Sequence, residues 1–505
     1  MLVLALSCAG DPEIPDAEVI VEEASPQDTA EPEDIETLDA LPALTRLSLD
    51  LRGKRPSLSE IERVQADPAA LDTLREEFLQ DPAMPDRMGW IWNDAVHTAV
   101  WGQSYVRFGE LEPATWAAIG WEPLALVAAI TDEDRPFTDL VTAEETRANP
   151  ALADFYGLDG GSADWGSATY TDDRPTAGIL STNGLWLRYT ADQVNFNRTR
   201  ANAVADLFLC ADFLDRDGGF EFALDPEDLT SVEEAVRTEP ACLSCHAALD
   251  PMTGFFGGFA EKSDELPEDQ YLRYSTFFEV AVATNTPPAY YGTSASDLHD
   301  LGNLIAADPR FTRCAVRRFY EGLVGEAPSV VEERRLLSDW KVEGLVVRAL
   351  VRDITTSDAY LQAEPRPMRA EVLYTSTADL MGRTIDVDPD EGLAPMGYDA
   401  TLRVLAGGSD DDAVLVPNEG PHLGAQAVMA WASRMTRDSV ADVLEVDPDT
   451  DDSAAIRAEL ARLHLRFFGL VATEDDLDAL QELHAAGGFD LVVAGLLRHP
   501  RMLAY

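Results

Sequence analysis

The run Ala241-Cys242-Leu243-Ser244-Cys245-His246 is the most chemically specific stretch of the chain. A C-x-x-C-H spacing lets two thiols on one turn add across the two vinyl groups of a haem, while the next residue turns its imidazole to the iron as fifth ligand. With five cysteines and seven histidines among 505 residues, chance would produce such a run in about one chain per thousand. The residues therefore read as covalent haem c, with Cys242 and Cys245 as anchors and His246 as the metal ligand. Two other chemistries use the same side chains. Tetrahedral zinc would recruit Cys210 and Cys314, although those two form no second C-x-x-C pair. A redox dithiol usually opens a helix after a strand, and no such context precedes Cys242.

Helices must position this run, and a repeated module supplies them. Arg46-Leu-Ser-Leu-Asp-Leu-Arg-Gly53 is followed by Ser57-x-x-Glu60, a capping box. Arg462-Leu-His-Leu-Arg-Phe-Phe-Gly469 precedes Thr473 in the same way, and aligning Arg46 with Arg462 also matches Gln65 with Gln481. A third copy runs from Arg318 to Gly325 and then Ser329-x-x-Glu332. Each copy predicts a helix, a glycine stop, a capped helix and a further apolar helix, at 71–79, 344–354 and 489–497. The fold class is thus mainly α, a multi-domain helical protein with a cytochrome c-like haem segment and three related helical modules.

Between Met88 and Trp121 lie Trp90, Trp92, Trp101, Trp116 and Trp121, with His97 among them. Tryptophans at this density build a core more often than a binding platform. His97 is a candidate sixth ligand, against the plainer role of a hydrogen-bonded histidine. Residues 156–182 are rich in Gly, Asp and Ser and read as irregular. Arg198 and Arg200, just before an apolar helix ending at Cys210, could pair with haem propionates or make interhelical ion pairs. The runs Asp386 to Asp390 and Asp447 to Asp451 lack the glycine and terminal Glu of an EF-hand loop, so they read as acidic turns. No nucleotide-binding, hydrolase-elbow or zinc-protease motif is present.

Charge narrows the partners. The chain carries 92 acidic and 38 basic residues, net -54, which argues against nucleic acid and against anionic lipid bound through a basic patch. The acidic excess reads first as the solvated surface of a salt-adapted protein, and a basic electron-transfer partner steered by this field is the alternative. Met1 to Gly10 resembles the end of a lipoprotein signal, truncated at its basic region, with Cys8 as the residue that would take the lipid. Residues 9–40 carry twelve Asp and Glu and no Lys or Arg, the composition of an extended, disordered tether. No run of 18 apolar residues appears, so no bilayer-spanning segment is expected.

Asn197-Arg-Thr-Arg-Ala-Asn202 with Leu209-Cys210, then Cys242-x-x-Cys-His246-x-x-x-Asp250-Pro251-Met252-x-Gly254-Phe255, then Asp308-Pro-Arg-Phe-Thr-Arg-Cys314 with Gly325, together resemble the planctomycete-type cytochrome c-like proteins. These are large envelope proteins whose C-x-x-C-H core is flanked by domains of undefined chemistry. The opening Arg46 to Asp50, with Gly53 and Pro56, is similar to the N-terminal helical domain of the same group. The resemblance covers about residues 41–360 and implies haem c and an envelope location. The family usually has an aliphatic residue where this chain has Met252, which lies too near His246 to cross the haem and reads as packing. Met368, Met381 and Met396 remain candidates for a thioether sixth ligand.

In an oxidising compartment the two remaining thiols, Cys210 and Cys314, each on a family-like helix, are expected to form a disulfide, the alternative being two buried thiols. The expected organisation is a signal remnant at 1–8, the tether at 9–40, an N-terminal helical domain at 41–165, the haem domain at 166–300, a helical module at 301–365 and a C-terminal helical domain at 366–505. The expected function is electron transfer by a lipid-anchored mono-haem protein of the bacterial envelope with an unidentified redox partner. An envelope haem oxidoreductase with an open distal site, or a non-haem structural or binding lipoprotein, are the alternatives.

Overall fold

In the repeated module the first helix stops at a glycine and the second opens at a capping Ser or Thr. The computed structural model describes residues 40–99, 113–161, 165–191, 197–213, 229–259, 273–276, 287–362, 366–382, 432 and 440–505, and their regular structure is mainly α-helical. Cys8, the expected tether and Trp101 lie outside these residues, as do Met396 and the Asp386 to Asp390 run.

The repeat is built as its sequence directs. Helix Ala40–Arg52 ends at Gly53 (φ 68°), and helix Leu58–Ala66 opens with the Ser57 side chain accepting from the Glu60 amide while Glu60 accepts from the Ser57 amide. Helix Pro309–Val324 ends at Gly325 (φ 97°), and Ser329 caps Val330–Val342. Helix Ser453–Phe468 ends at Gly469 (φ 69°), and Thr473 and Asp476 form the second reciprocal box, on Glu474–Leu497. A left-handed residue closes a helix by returning its N–H to an orphan carbonyl, and only glycine does so without a Cβ penalty. The third helix of each copy is Ala70–Leu79, Val347–Thr355 and the stretch after the non-helical pair Gly487 and Gly488.

These helices enclose two large cores. The first runs from Leu44 and Leu47 through Trp92, Phe137, Trp186 and Phe256 to Phe319, Trp340 and Leu350. The expected segments 41–165, 166–300 and 301–365 therefore share one apolar interior. The second contains Val372, Leu463, Phe467, Leu480 and Val492, and takes Leu49 from the opposite side of helix Ala40–Arg52. Residues 156–182, expected to be irregular, instead contribute to a small antiparallel sheet in which Gly166–Thr169 lies between Thr146–Ala148 and Asp159–Gly160. Such short strands carry no alternating apolar pattern, and left-handed Gly160 (φ 103°) admits the close approach to the Ser167 carbonyl.

Within helix Pro113–Asp132, the stretch Ala114–Asp132 is long and apolar enough to cross a membrane by length and composition, which the reading of the sequence did not anticipate. Here it is a core helix, 67% buried over that window. Its one buried acid, Glu122, accepts hydrogen bonds from Thr146 (2.7 Å) and from the Tyr170 hydroxyl. Burial raises its pKa, and although these bonds oppose the shift, the carboxyl is held at about 7.

Unfolded, Glu122 ionises near 4.5, whereas the folded chain retains its proton to about 7. The folded state therefore binds more protons in that window, and stability falls as pH rises through it, by up to about 1.4 kcal/mol per pH unit from this group. Urea denaturation from pH 4 to 8 will show this slope in the native chain relative to Glu122→Gln. A Cβ on Gly469 would stand 2.2 Å from Thr45 Oγ1, whereas one on Gly344 (φ 73°) meets nothing within 4 Å. Gly469→Ala will cost about 2–4 kcal/mol, the backbone penalty plus the clash, and Gly344→Ala about 1 kcal/mol, the backbone penalty alone.

Candidate functional site

The C-x-x-C-H run lies on helix Pro240–Met252, which Pro240 opens at a position where a missing N–H costs nothing. Helical spacing places Cys242 and Cys245 three apart and His246 four from Cys242, so all three share one side of the helix. The cysteine stripe continues down the helix in Leu249 and Met252, seven and ten positions after Cys242, both buried in the first core, with Cys245 and Ala248 packed at its edge. Met252 is fully buried there, a packing side chain. Phe255 and Phe256 in the following turn Thr253–Phe256 extend this packing, and Phe256 meets Trp186 at 4.6 Å between ring centroids. Neither Cys242 nor Cys245 is disulfide-bonded, and both are half-buried.

His246 is oriented by its own helix. Its Nδ1 lies 2.9 Å from Asp250 Oδ1, one turn on. Asp250 in turn accepts a two-point contact from Arg198, with Nε at 2.7 Å from Oδ1 and Nη2 at 3.2 Å from Oδ2. Burial raises the Asp250 pKa, but the hydrogen bonds from His246 and Arg198 and the guanidinium charge outweigh it, holding the carboxyl below its ordinary value. Arg198 opens helix Arg198–Leu209. Arg200, two positions further along, donates to the Asn197 side chain and to the Phe259 carbonyl, both at 2.8 Å, and so fastens this helix to the segment after the motif. Of the two arginines read as propionate partners or as ion-pairing residues, Arg198 makes an interhelical ion pair and Arg200 serves the Asn197 side chain and backbone carbonyls.

The far end of the same helix is tied covalently. Cys210, left-handed at its C-cap, is bonded to Cys314 of helix Pro309–Val324, with Cα atoms 5.3 Å apart. That bridge, expected from the sequence, removes both cysteines from any four-thiolate zinc site. Among the described residues no three His, Cys, Asp or Glu side chains converge as they would to hold a bare metal ion.

Other candidates are placed elsewhere. His97 ends helix Met84–Val96 in a left-handed conformation. Met368 and Met381 are buried in the second core, whereas the motif helix packs into the first. Trp92 is a core residue against Phe137 and Phe319, and Trp90 packs on Trp121 at 4.7 Å. Asp447 accepts from the Asp449 amide and Asp452 caps a helix, so this acidic run is spent on a turn. The contact of Asp250 with His246 was not read from the sequence, although its spacing of four from His246 was a usable signal.

These residues fit a covalently held haem. Two thiols lie on one face, and an imidazole whose Nδ1 is engaged by a carboxylate keeps Nε2 for a metal, the arrangement metal-ligating histidines generally adopt. No protein-family model matches the chain, and no curated protein or solved structure matches it significantly.

The bridge encloses the motif helix within a loop of sequence separation 104. Replacing both Cys210 and Cys314 by Ser is expected to lower stability by about 2–5 kcal/mol, measured by urea denaturation. Peptide mapping without reduction will recover 210 linked to 314 in the native chain.

Proposed function

We propose that this chain is a mono-haem c-type protein of the bacterial envelope that passes electrons, resembling the planctomycete-type cytochrome c-like proteins. Cys242 and Cys245 would hold the haem, and His246 would ligate its iron through Nε2. When bound, the group would supply a one-electron iron couple. The observation that carries this reading is the C-x-x-C-H run on one helical face, with His246 Nδ1 already engaged by Asp250 at 2.9 Å. The protein's own contribution is to fix the imidazole and its tautomer, to bury the inner edge of the motif helix, and to clamp its neighbour through Cys210 and Cys314. A lipid on Cys8 and a spacer at 9–40 would hold the folded part near a membrane surface, and the net charge of -54 would steer a basic redox partner.

A second reading is an envelope haem oxidoreductase with an open distal position, acting on peroxide or an organic substrate. It is favoured by the burial of Met252 in the first core and of Met368 and Met381 in the second, and by the carboxylate on His246, which raises ligand basicity.

Absorption spectra of protein exported from a host with c-type maturation, with the pyridine haemochrome, test both. One c-type haem per chain, lost in Cys242→Ala/Cys245→Ala, is the expected result, and a colourless native protein would overturn the proposal. A low-spin native spectrum fits electron transfer; a high-spin spectrum that responds to cyanide fits the oxidoreductase.

A further inference from the structure

We infer that Asp250 and Arg198 form a two-residue relay that sets the reduction potential of the centre through His246, with Asp250 acting as a positioning residue. This rests on the haem reading above. The geometry is a continuous line of charge-assisted contacts: His246 Nδ1 to Asp250 Oδ1 at 2.9 Å, and Asp250 to Arg198 Nε and Nη2 at 2.7 and 3.2 Å. Two separate elements supply it. Asp250 is locked at one helical turn from His246, and Arg198 comes from helix Arg198–Leu209, held in place by Arg200 and by the bridge at Cys210.

The two residues act with opposite sign. With Nε2 committed to iron, Nδ1 bears the proton and donates it to the Asp250 carboxylate. The negative charge at that hydrogen bond pushes electron density onto the imidazole and stabilises the oxidised iron, lowering the potential. Arg198 engages both oxygens of the same carboxylate and draws that charge away, which moderates the effect. Asp250 and Arg198 each leave 32% of their side-chain surface exposed and His246 23%, so the contacts are less screened than on an open surface. Asp250 therefore sets the direction and Arg198 the extent.

The test is a redox titration of the matured full chain as native, Asp250→Asn, Arg198→Gln and the double variant, each with its haem content measured. Asp250→Asn keeps shape and an acceptor but loses the charge, and its potential is expected to rise by the equivalent of a tenfold or greater change in the oxidised-to-reduced ratio, about 59 mV for one electron. Arg198→Gln is expected to shift it downward. In the Asp250→Asn background the Arg198→Gln change should have little further effect, because its target is gone. Potentials unchanged in both single variants would overturn the relay, as would strictly additive shifts, while leaving the haem reading standing. A native chain without haem would overturn both. Should Asp250→Asn fail to mature, the downward shift of Arg198→Gln remains a direct test, and its absence counts against the relay.

Discussion

The burial of one carboxylate, Asp50, constrains much of the architecture. Asp50 is fully buried on the first repeat helix, and an uncompensated charge there would be prohibitively costly. Its compensation comes from far along the chain: the Tyr360 hydroxyl at 2.8 Å, the Tyr505 hydroxyl at 2.8 Å, and the Arg366 guanidinium. Arg366 also donates to the Gly322 carbonyl, in the repeat copy at Arg318 to Gly325, at 2.7 Å. Helix Ala40–Arg52, whose two sides face the two large cores, is thus tied by one side chain to residues 360, 366 and 505. Removing one partner of such a network leaves the other stranded, which makes it a strong constraint on geometry whatever its net contribution to stability.

Within that frame the repeat shows how one backbone plan is put to different uses. The arginine that opens each motif meets a different partner in each copy. Arg46 lies over the Tyr360 ring, Arg462 pairs with Glu459, and Arg318 pairs with Asp206 on helix Arg198–Leu209. In the copy at Arg318 to Gly325 this arginine braces the helix that carries Arg198. The same copy supplies Cys314, so both the ion pair and the covalent bridge that steady the candidate centre come from one module.

What the sequence revealed, and what it hid, divides along the range of the interactions. Glycine stops and capping boxes are decided within four or five residues, and Gly53, Gly325 and Gly469 were legible for that reason. The Cys210 to Cys314 bridge was legible because few thiols remained to pair. By contrast, the Arg198 contact to Asp250 joins residues 52 apart, and the Arg366 contact to Asp50 joins residues 316 apart. Any of the 38 basic residues could have met any of the 92 acidic ones, and only packing selects. The small sheet around Gly166–Thr169 was hidden because it lacks the alternation that marks a half-buried strand. Glu122 was hidden because an acid in an apolar helix reads as its exposed edge until a partner such as Tyr170 is placed.

The cysteines at 210, 242, 245 and 314 could be joined in three pairwise arrangements. In the folded chain Cys314 is sealed in the interior against Cys210, while Cys242 and Cys245 sit together on a helix whose Leu243 and Ser244 face solvent. The fold therefore sorts its own sulfur atoms into a structural couple and a reachable couple. A thiol reagent arriving from outside finds Cys242 and Cys245 half-exposed and free, while Cys210 and Cys314 are already spent on each other, so like side chains are given different reactivity by tertiary structure.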